Sequence, residues 1–240
     1  GGLVDVTAKS GGNGFQGGLR STMEHGSLAG TNLVNTEIGT EVAGRMDVEA
    51  EIRGPLVKNT LFYFLSGKYV SQDRQALNHL GSLENRYAPF QEERNERKLF
   101  GKLTFTPGLT HRLEVSAGYT DTRADNYELT GFEAEGATHR YESPAWFVNG
   151  SLQEILGNWG VLEARINHLS KDERHEPYNG PDTPGISTFS LTPPHTAFGN
   201  APLGFRSAPS STSATVMATL RTRIGGAEHS LKIGGEATRG

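Results

Sequence analysis

The chain has 240 residues, a formal net charge of −4 and a pI near 6.1, which gives no support to nucleic-acid binding, because such domains are normally basic. It contains no cysteine, which excludes a disulfide framework, a thiolate metal site and a cysteine nucleophile. Its 31 glycines are close to twice the usual share of about 7%, and an apolar fraction of 35% is low for a compact core, so the chain either turns often or buries one face of each element.

The first feature along the chain is "KSGGNGFQGGLR", residues 9–20, in which Gly12, Gly14 and Gly17 have the G-x-G-x-x-G spacing of a dinucleotide loop. Such a loop must open a helix that leads to a parallel strand. Here Phe15, Gly17, Leu19, Ser21 and Met23 alternate with polar residues instead, and no strand–helix–strand unit follows. The glycines are therefore expected to serve the backbone, by positive φ in a tight link and by close approach to another strand.

Period-two alternation then recurs to the end of the chain. In "RMDVEAEIRG", Met46, Val48, Ala50 and Ile52 oppose Asp47, Glu49, Glu51 and Arg53. In "RLEVSAGYTD", Leu113, Val115, Ala117 and Tyr119 oppose Arg112, Glu114, Ser116 and Gly118. In "ATVMATLRT", Ala214, Val216, Ala218 and Leu220 oppose Thr215, Met217, Thr219 and Arg221. Weaker copies at 15–23, 61–70, 98–106, 146–153, 162–169 and 230–236 bring the expectation to about nine strands.

The connections alternate in length. "GPLVKN" after Ile52, "TPGLT" after Phe105, "LGNWG" after Ile155 and "GGAEH" after Ile224 are tight, whereas 26–44, 72–92, 124–138 and 176–207 are long and polar. Four long loops do not suit a compact soluble domain, but they do suit an outer-membrane barrel, which has short periplasmic turns and long external loops. No apolar window of 18 residues exists, which speaks only about helices. The fold class expected is all-β: antiparallel transmembrane barrel strands, forming part of a barrel. Its charged face would put Arg20, Glu51, Lys68, Lys102, Glu114, Arg165, Arg221 and Lys232 toward the lumen as paired, solvated charges, and Phe62, Tyr63, Phe64 and Phe105 near tight turns would form an interfacial girdle. The chain starts at Gly1 without a leader and ends within a strand pattern, so nine strands leave two edges that further strands must close.

At the start of the chain, "GGLVDVTAKSGGNGFQGGLRS" resembles the junction between plug and barrel in TonB-dependent outer-membrane receptors. Gly1, Gly2, Lys9, Ser10, Gly11, Asn13, Phe15 and Gly17 match that pattern in order. Further on, "EIRGPLVKNTLFYFLSGKY" resembles the same family's second hairpin, through Gly54, Pro55, Leu56, Val57 and Lys58 and then Leu61, Phe62, Tyr63 and Phe64, most like the large Oar-like receptors. The two stretches cover roughly a fifth of the chain. The resemblance implies that residues 1–12 are the last plug strand and linker and 13–240 the first part of a 22-stranded barrel. It further implies TonB and membrane lipid as partners and energised uptake of a scarce ligand such as a siderophore, oligosaccharide or peptide. The bulk of a plug, a TonB box and a terminal aromatic strand are not in these residues. The alternatives are a smaller outer-membrane barrel or adhesin without transport, and a soluble all-β carbohydrate-binding domain.

No catalytic residue and no cofactor is expected. The eight histidines include no H-E-x-x-H pair, and no G-x-S-x-G elbow occurs. His168 and His175, with Asp172, Glu173 and Glu176, come nearest to a metal cluster but read as a solvated charged rim. The segment "EPYNGPDTPGISTFSLTPPHTAFGNAPLGF" has the composition of an external loop able to fold over a ligand.

Overall fold

The computed structural model describes residues 9–26, 39–77, 90–129, 136–188, 196–201 and 203–240. Its strands are β1 (Gln16–His25), β2 (Gly39–Val57), β3 (Leu61–Leu77), β4 (Glu92–Phe105), β5 (His111–Tyr127), β6 (His139–Ile155), β7 (Gly160–Lys171), β8 (Glu173–Pro177), β9 (Ile186–Thr188), β10 (Thr196–Phe198), β11 (Phe205–Ser207), β12 (Ser210–Ile224) and β13 (Ala227–Arg239). One antiparallel sheet of 11 strands has the path β1 to β7, then β12 and β13, while β8 continues beside β6 and β11 beside β8. β9 and β10 form a separate short hairpin.

β7 and β8 are one course broken at Asp172, because β6 pairs with both in a single register, Ala145 with Lys171 and Glu142 with Arg174. β11 and β12 are likewise one course, since Ser207 pairs with Glu173 and Ser210 with Ser170. The sheet is thus an up-and-down meander of nine long courses that does not close, with β1 and β13 as its edges. This is a partial antiparallel barrel, as the alternation of the sequence leads one to expect.

The faces separate as the alternation predicts. Residues directly opposite in an antiparallel pair share a face, so the pairings of Gly18 with Glu51, Glu49 with Lys68, Lys102 with Ser116 and Thr215 with Arg165 trace one polar face through the sheet. Arg20, Glu51, Lys68, Lys102, Glu114, Arg165, Arg221 and Lys232 all lie on it. The other face carries Leu19, Ile52, Leu65, Leu103, Val115, Val148, Ile166, Val216 and Ile233. Neighbouring residues of β4 show which face is concave: Leu103 is 46% exposed, whereas Lys102 is 7% exposed and Thr104 4%. Side chains crowd inside a curved wall and splay outside it, so the charged face is the inner one. Its charges pair there, Lys102 and Arg112 with Glu114 at 3.0 and 2.8 Å and Lys68 with Asp47 at 2.8 Å.

The strands are longer than the alternation suggests. β2 runs for 19 residues and β5 for 17, against the eight to ten read from sequence. Along β5 the outward side chains are apolar from Leu113 to Tyr119 and then become Asp121, Arg123 and Asp125. That apolar stretch is seven residues long, and the backbone ladder continues beyond it with mostly polar residues on both faces, where the apolar pattern no longer reports the strand.

Three local expectations are corrected. Gly54, Pro55, Leu56 and Val57 are not turn residues but the end of β2, and the turn is Lys58–Asn59–Thr60. Of the expected girdle, Tyr63 and Phe105 do face outward, but Phe62 and Phe64 share the inner face, where Phe64 is buried against Phe100. Finally, none of Gly11, Gly12, Gly14 and Gly17 has positive φ, which occurs instead at Asn59, Gly157, Gly225 and Gly226 in the tight turns and at Asn126, Glu128, Gly136, Gly180 and Gly199 on the opposite rim.

Candidate functional site

Residues 9–15 form a hook around the rim of the β2–β3 hairpin. On the inner face Lys9 Nζ bonds Glu51 Oε2 at 2.7 Å. Next, Gly11 lies flat on the backbone, where an added Cβ would come within 2.4 Å of the Tyr63 carbonyl and 2.9 Å of the Gly54 carbonyl. At the rim Asn13 meets Asn59: the Asn59 backbone N–H donates to Asn13 Oδ1 at 2.7 Å, and Asn13 Nδ2 donates to Asn59 Oδ1 at 2.6 Å. The chain then crosses to the outer face, where the Phe15 ring covers Gly54, whose added Cβ would sit 2.6 Å from it, and tilts against Tyr63 with centroids 6.4 Å apart.

Gly54 is thus gripped from both sides, by a backbone inside and a ring outside. From Phe15 the chain enters β1, in which Gly17 pairs with Ile52. The two stretches quoted from the sequence are therefore one structural unit, and Lys9, Gly11, Asn13, Phe15 and Gly17 are all placed in it. Ser10 lies between Lys9 and Gly11, half-buried, while Gly1 and Gly2 fall outside the described residues. The partners Asn59, Glu51 and Tyr63 were not singled out as contacts by the sequence, although Asn59 sits where a turn favours Asn at positive φ.

A second grouping occupies the opposite end of the inner face, above the apolar band. Tyr127 and Tyr141 stack with centroids 4.4 Å apart. His175 stands edge-on to both and lies face to face with Phe205 at 4.0 Å. Its Nε2 is 3.2 Å from Glu173 Oε1. Beside this stack is a depression of about 690 Å³ lined by His175, Pro177, Pro184, Leu203 and Phe205. On the outer face of the same rim, Arg206 reaches Asp172 through two nitrogens at 2.8 and 2.9 Å, and Arg174 bonds the same carboxylate. Arg206 first, then Arg174, holds the Asp172 carboxyl well below the usual carboxylate range. Lys171, then His175, does the same more mildly for Glu173.

The loop beyond β8 is built on Asn200, which is fully buried. Its Nδ2 donates to the carbonyls of Gly180 and Thr183 at 2.7 and 2.8 Å, and its Oδ1 accepts from the Asn179 N–H at 3.1 Å. Within the long polar segment 176–207 the described residues contain β9, β10 and β11. Its composition signalled a loop but not this internal scaffold.

His168 and His175 do not converge. His168 pairs in register with Val148 on the outer face and bonds Thr212 Oγ1 at 2.8 Å, whereas His175 pairs with Tyr141 on the inner face. Among the described residues no group of three or more His, Asp and Glu side chains is placed to hold a metal.

No family profile matches the chain, and no curated protein matches it. Among solved structures it is similar to a mutant of the ferric enterobactin receptor of Pseudomonas aeruginosa, with 14% identity and a TM-score of 0.54 over 96% of this chain and 31% of that one. At that identity the likeness concerns the fold alone, a receptor-barrel-like one. The chain spans about a third of that structure's length.

Proposed function

We propose that the chain is the first part of the wall of a TonB-dependent outer-membrane receptor, which takes up a scarce ligand in a Gram-negative cell. The observation that carries this reading is the hook. A chain that lies on the inner face at Lys9, turns round the rim at Asn13 and becomes wall at Gln16 is a covalent link between whatever fills the lumen and the barrel itself. An adhesin barrel or a soluble sandwich has no need of such a link. The barrel-like fold and the two linked sequence stretches agree with it, and "GPLVK", the end of β2 with the first residue of its turn, favours the Oar-like type.

In this reading the outer apolar face meets lipid, and the missing strands complete the barrel between β1 and β13. A plug ahead of residue 9 fills the lumen and is worked by TonB. The aromatic and charged mouth around His175 and Phe205 lies on the path of an entering ligand. The chain acts as a conduit and not as an enzyme, with no cofactor of its own.

These 240 residues contain no cysteine, so single cysteines placed in them can be labelled once any elsewhere in the protein are replaced. In whole cells a single cysteine placed at Asn179 in the full-length protein should react with a membrane-impermeant maleimide, while one at Gly108 or Gly225 should react only after the outer membrane is opened. The reverse pattern, or recovery of the protein in the cytosol, would overturn the membrane reading. For transport, one solute in the medium should be depleted only by cells holding both this gene and the TonB gene. Depletion indifferent to TonB would leave a barrel that is no such receptor.

A further inference from the structure

We propose that residues 9–15 are a mechanical anchor: the hook stops a pull on the chain ahead of Lys9 at the β2–β3 rim, before it reaches β1. The proposal rests on the reading of the chain as a receptor wall whose N-terminal part is pulled.

The need for an anchor follows from the sheet. β1 is an edge whose pairing runs from Gln16 opposite Arg53 to His25 opposite Gly44. A load applied at Gln16 alone would fall on one backbone pair at a time and peel the strand, because antiparallel bonds lie perpendicular to the strand and open in turn. The hook intercepts that load at three points. Lys9 is tied to Glu51, and Gly11 is pressed on the carbonyls of Tyr63 and Gly54 with no room for a Cβ. Asn13 closes a two-bond ring with Asn59 at the tip of the hairpin. Because the chain grips the hairpin from both faces, it must be drawn round the rim, past Gly54 and Phe15, before β1 is loaded. The first strand then keeps its register while the segment ahead of Lys9 moves.

The test is force spectroscopy on the full-length protein in bilayers, pulled by a handle joined to the chain ahead of Lys9. The wild-type protein should give a rupture for the hook that precedes, at lower extension, a separate step of about 3.4 nm for the ten residues of β1 at roughly 3.4 Å each. In Lys9→Ala/Asn13→Ala the first rupture should vanish, leaving the β1 step as the first event. Asn59→Gly, which keeps the turn's backbone freedom, should weaken the first rupture without abolishing it. If the first rupture persists unchanged in the double variant, the anchor is wrong. That outcome is distinct from failure of the receptor reading, which shows in the labelling and depletion experiments with the wild-type protein.

Discussion

Asn13 and Asn59 are 46 positions apart and close a two-bond ring, one bond into the backbone N–H of Asn59 and one between the two amides. Asn59 holds φ at 63°, a region most side chains avoid and Asn tolerates. Asn59→Gly keeps that backbone and loses one bond, at a net cost of about 1 kcal/mol. Asn59→Ala loses the same bond and adds left-handed strain of roughly 1 kcal/mol or more. Amide hydrogen exchange across the turn should therefore accelerate in the order wild type, Asn59→Gly, Asn59→Ala. Equal acceleration in the two variants would mean that the strain is relieved elsewhere.

The glycines of the junction should differ sharply in tolerance. At Gly11 an alanine would place its Cβ 2.4 Å from the Tyr63 carbonyl oxygen, a backbone atom that no rotamer change can move away. Gly12 and Gly14 have nothing within 4 Å of an added Cβ and no positive φ. Gly11→Ala should lift residues 9–13 from the rim, exposing them to limited proteolysis at a cost of about 1–3 kcal/mol. Gly12→Ala and Gly14→Ala should leave the protease pattern of the wild type unchanged.

The contrast among these glycines shows how far the sequence could be read. Alternation such as Met46, Val48, Ala50 and Ile52 against Asp47, Glu49 and Glu51 separates the two faces of a strand, and the faces follow from it throughout the nine courses. Strand ends are not reported, because beyond Tyr119 β5 carries polar residues on both faces and alternation loses its cause. Nor does spacing tell Gly11, which has a backbone lying on it, from Gly14, which has open space. That difference is made by Tyr63 and Gly54, more than 40 positions away. The Tyr127, Tyr141, His175 and Phe205 stack escaped for the same reason: four strands contribute to it, and its members show no pattern along any one of them.

Asn200 should hold the outer loop as a unit. Its amide satisfies two carbonyls and one N–H in a site closed to water. Asn200→Ala strands those three groups, each worth about 1–3 kcal/mol when left buried and unpaired, so the loop opens to water in preference to keeping its shape. Proteolysis within residues 178–201 should rise strongly while the barrel ladder, followed by infrared amide bands, stays intact.

Asp172 joins β11 to the break between β7 and β8 through Arg206 and Arg174. Its carboxyl is held below its ordinary value by those two guanidiniums, so its folded pKa is depressed. The stability it contributes is present above the unfolded pKa of about 3.9 and is lost as pH falls through the folded value. Acidification below about 4 should therefore loosen residues 173–209 first. Asp172→Asn should show that looseness already at pH 7 and little further change on acidification.

Glu92 should respond in the opposite sense. It is 1% exposed beside Ala76, Phe90 and Leu129, and its Oε2 has no hydrogen-bond partner among the described residues, with Arg74 3.5 Å away. Burial raises its pKa against the pull of Arg74 and Arg94 and of the Leu129 and Glu128 backbone N–H groups. For a carboxyl whose folded pKa is raised, the contribution to stability is complete below the unfolded pKa of about 4.3 and is lost as pH rises through the folded value. Glu92→Gln, which keeps the shape and removes the charge, should raise the protection factor of the Leu129 amide at pH 7 and abolish that factor's decline as pH rises above about 4. Asp172→Asn should lower protection in residues 173–209 at pH 7, so one exchange experiment separates the two carboxyls. Lower protection at Leu129 in Glu92→Gln would show that the Arg74 pair and the bonds from the Leu129 and Glu128 N–H groups outweigh the burial.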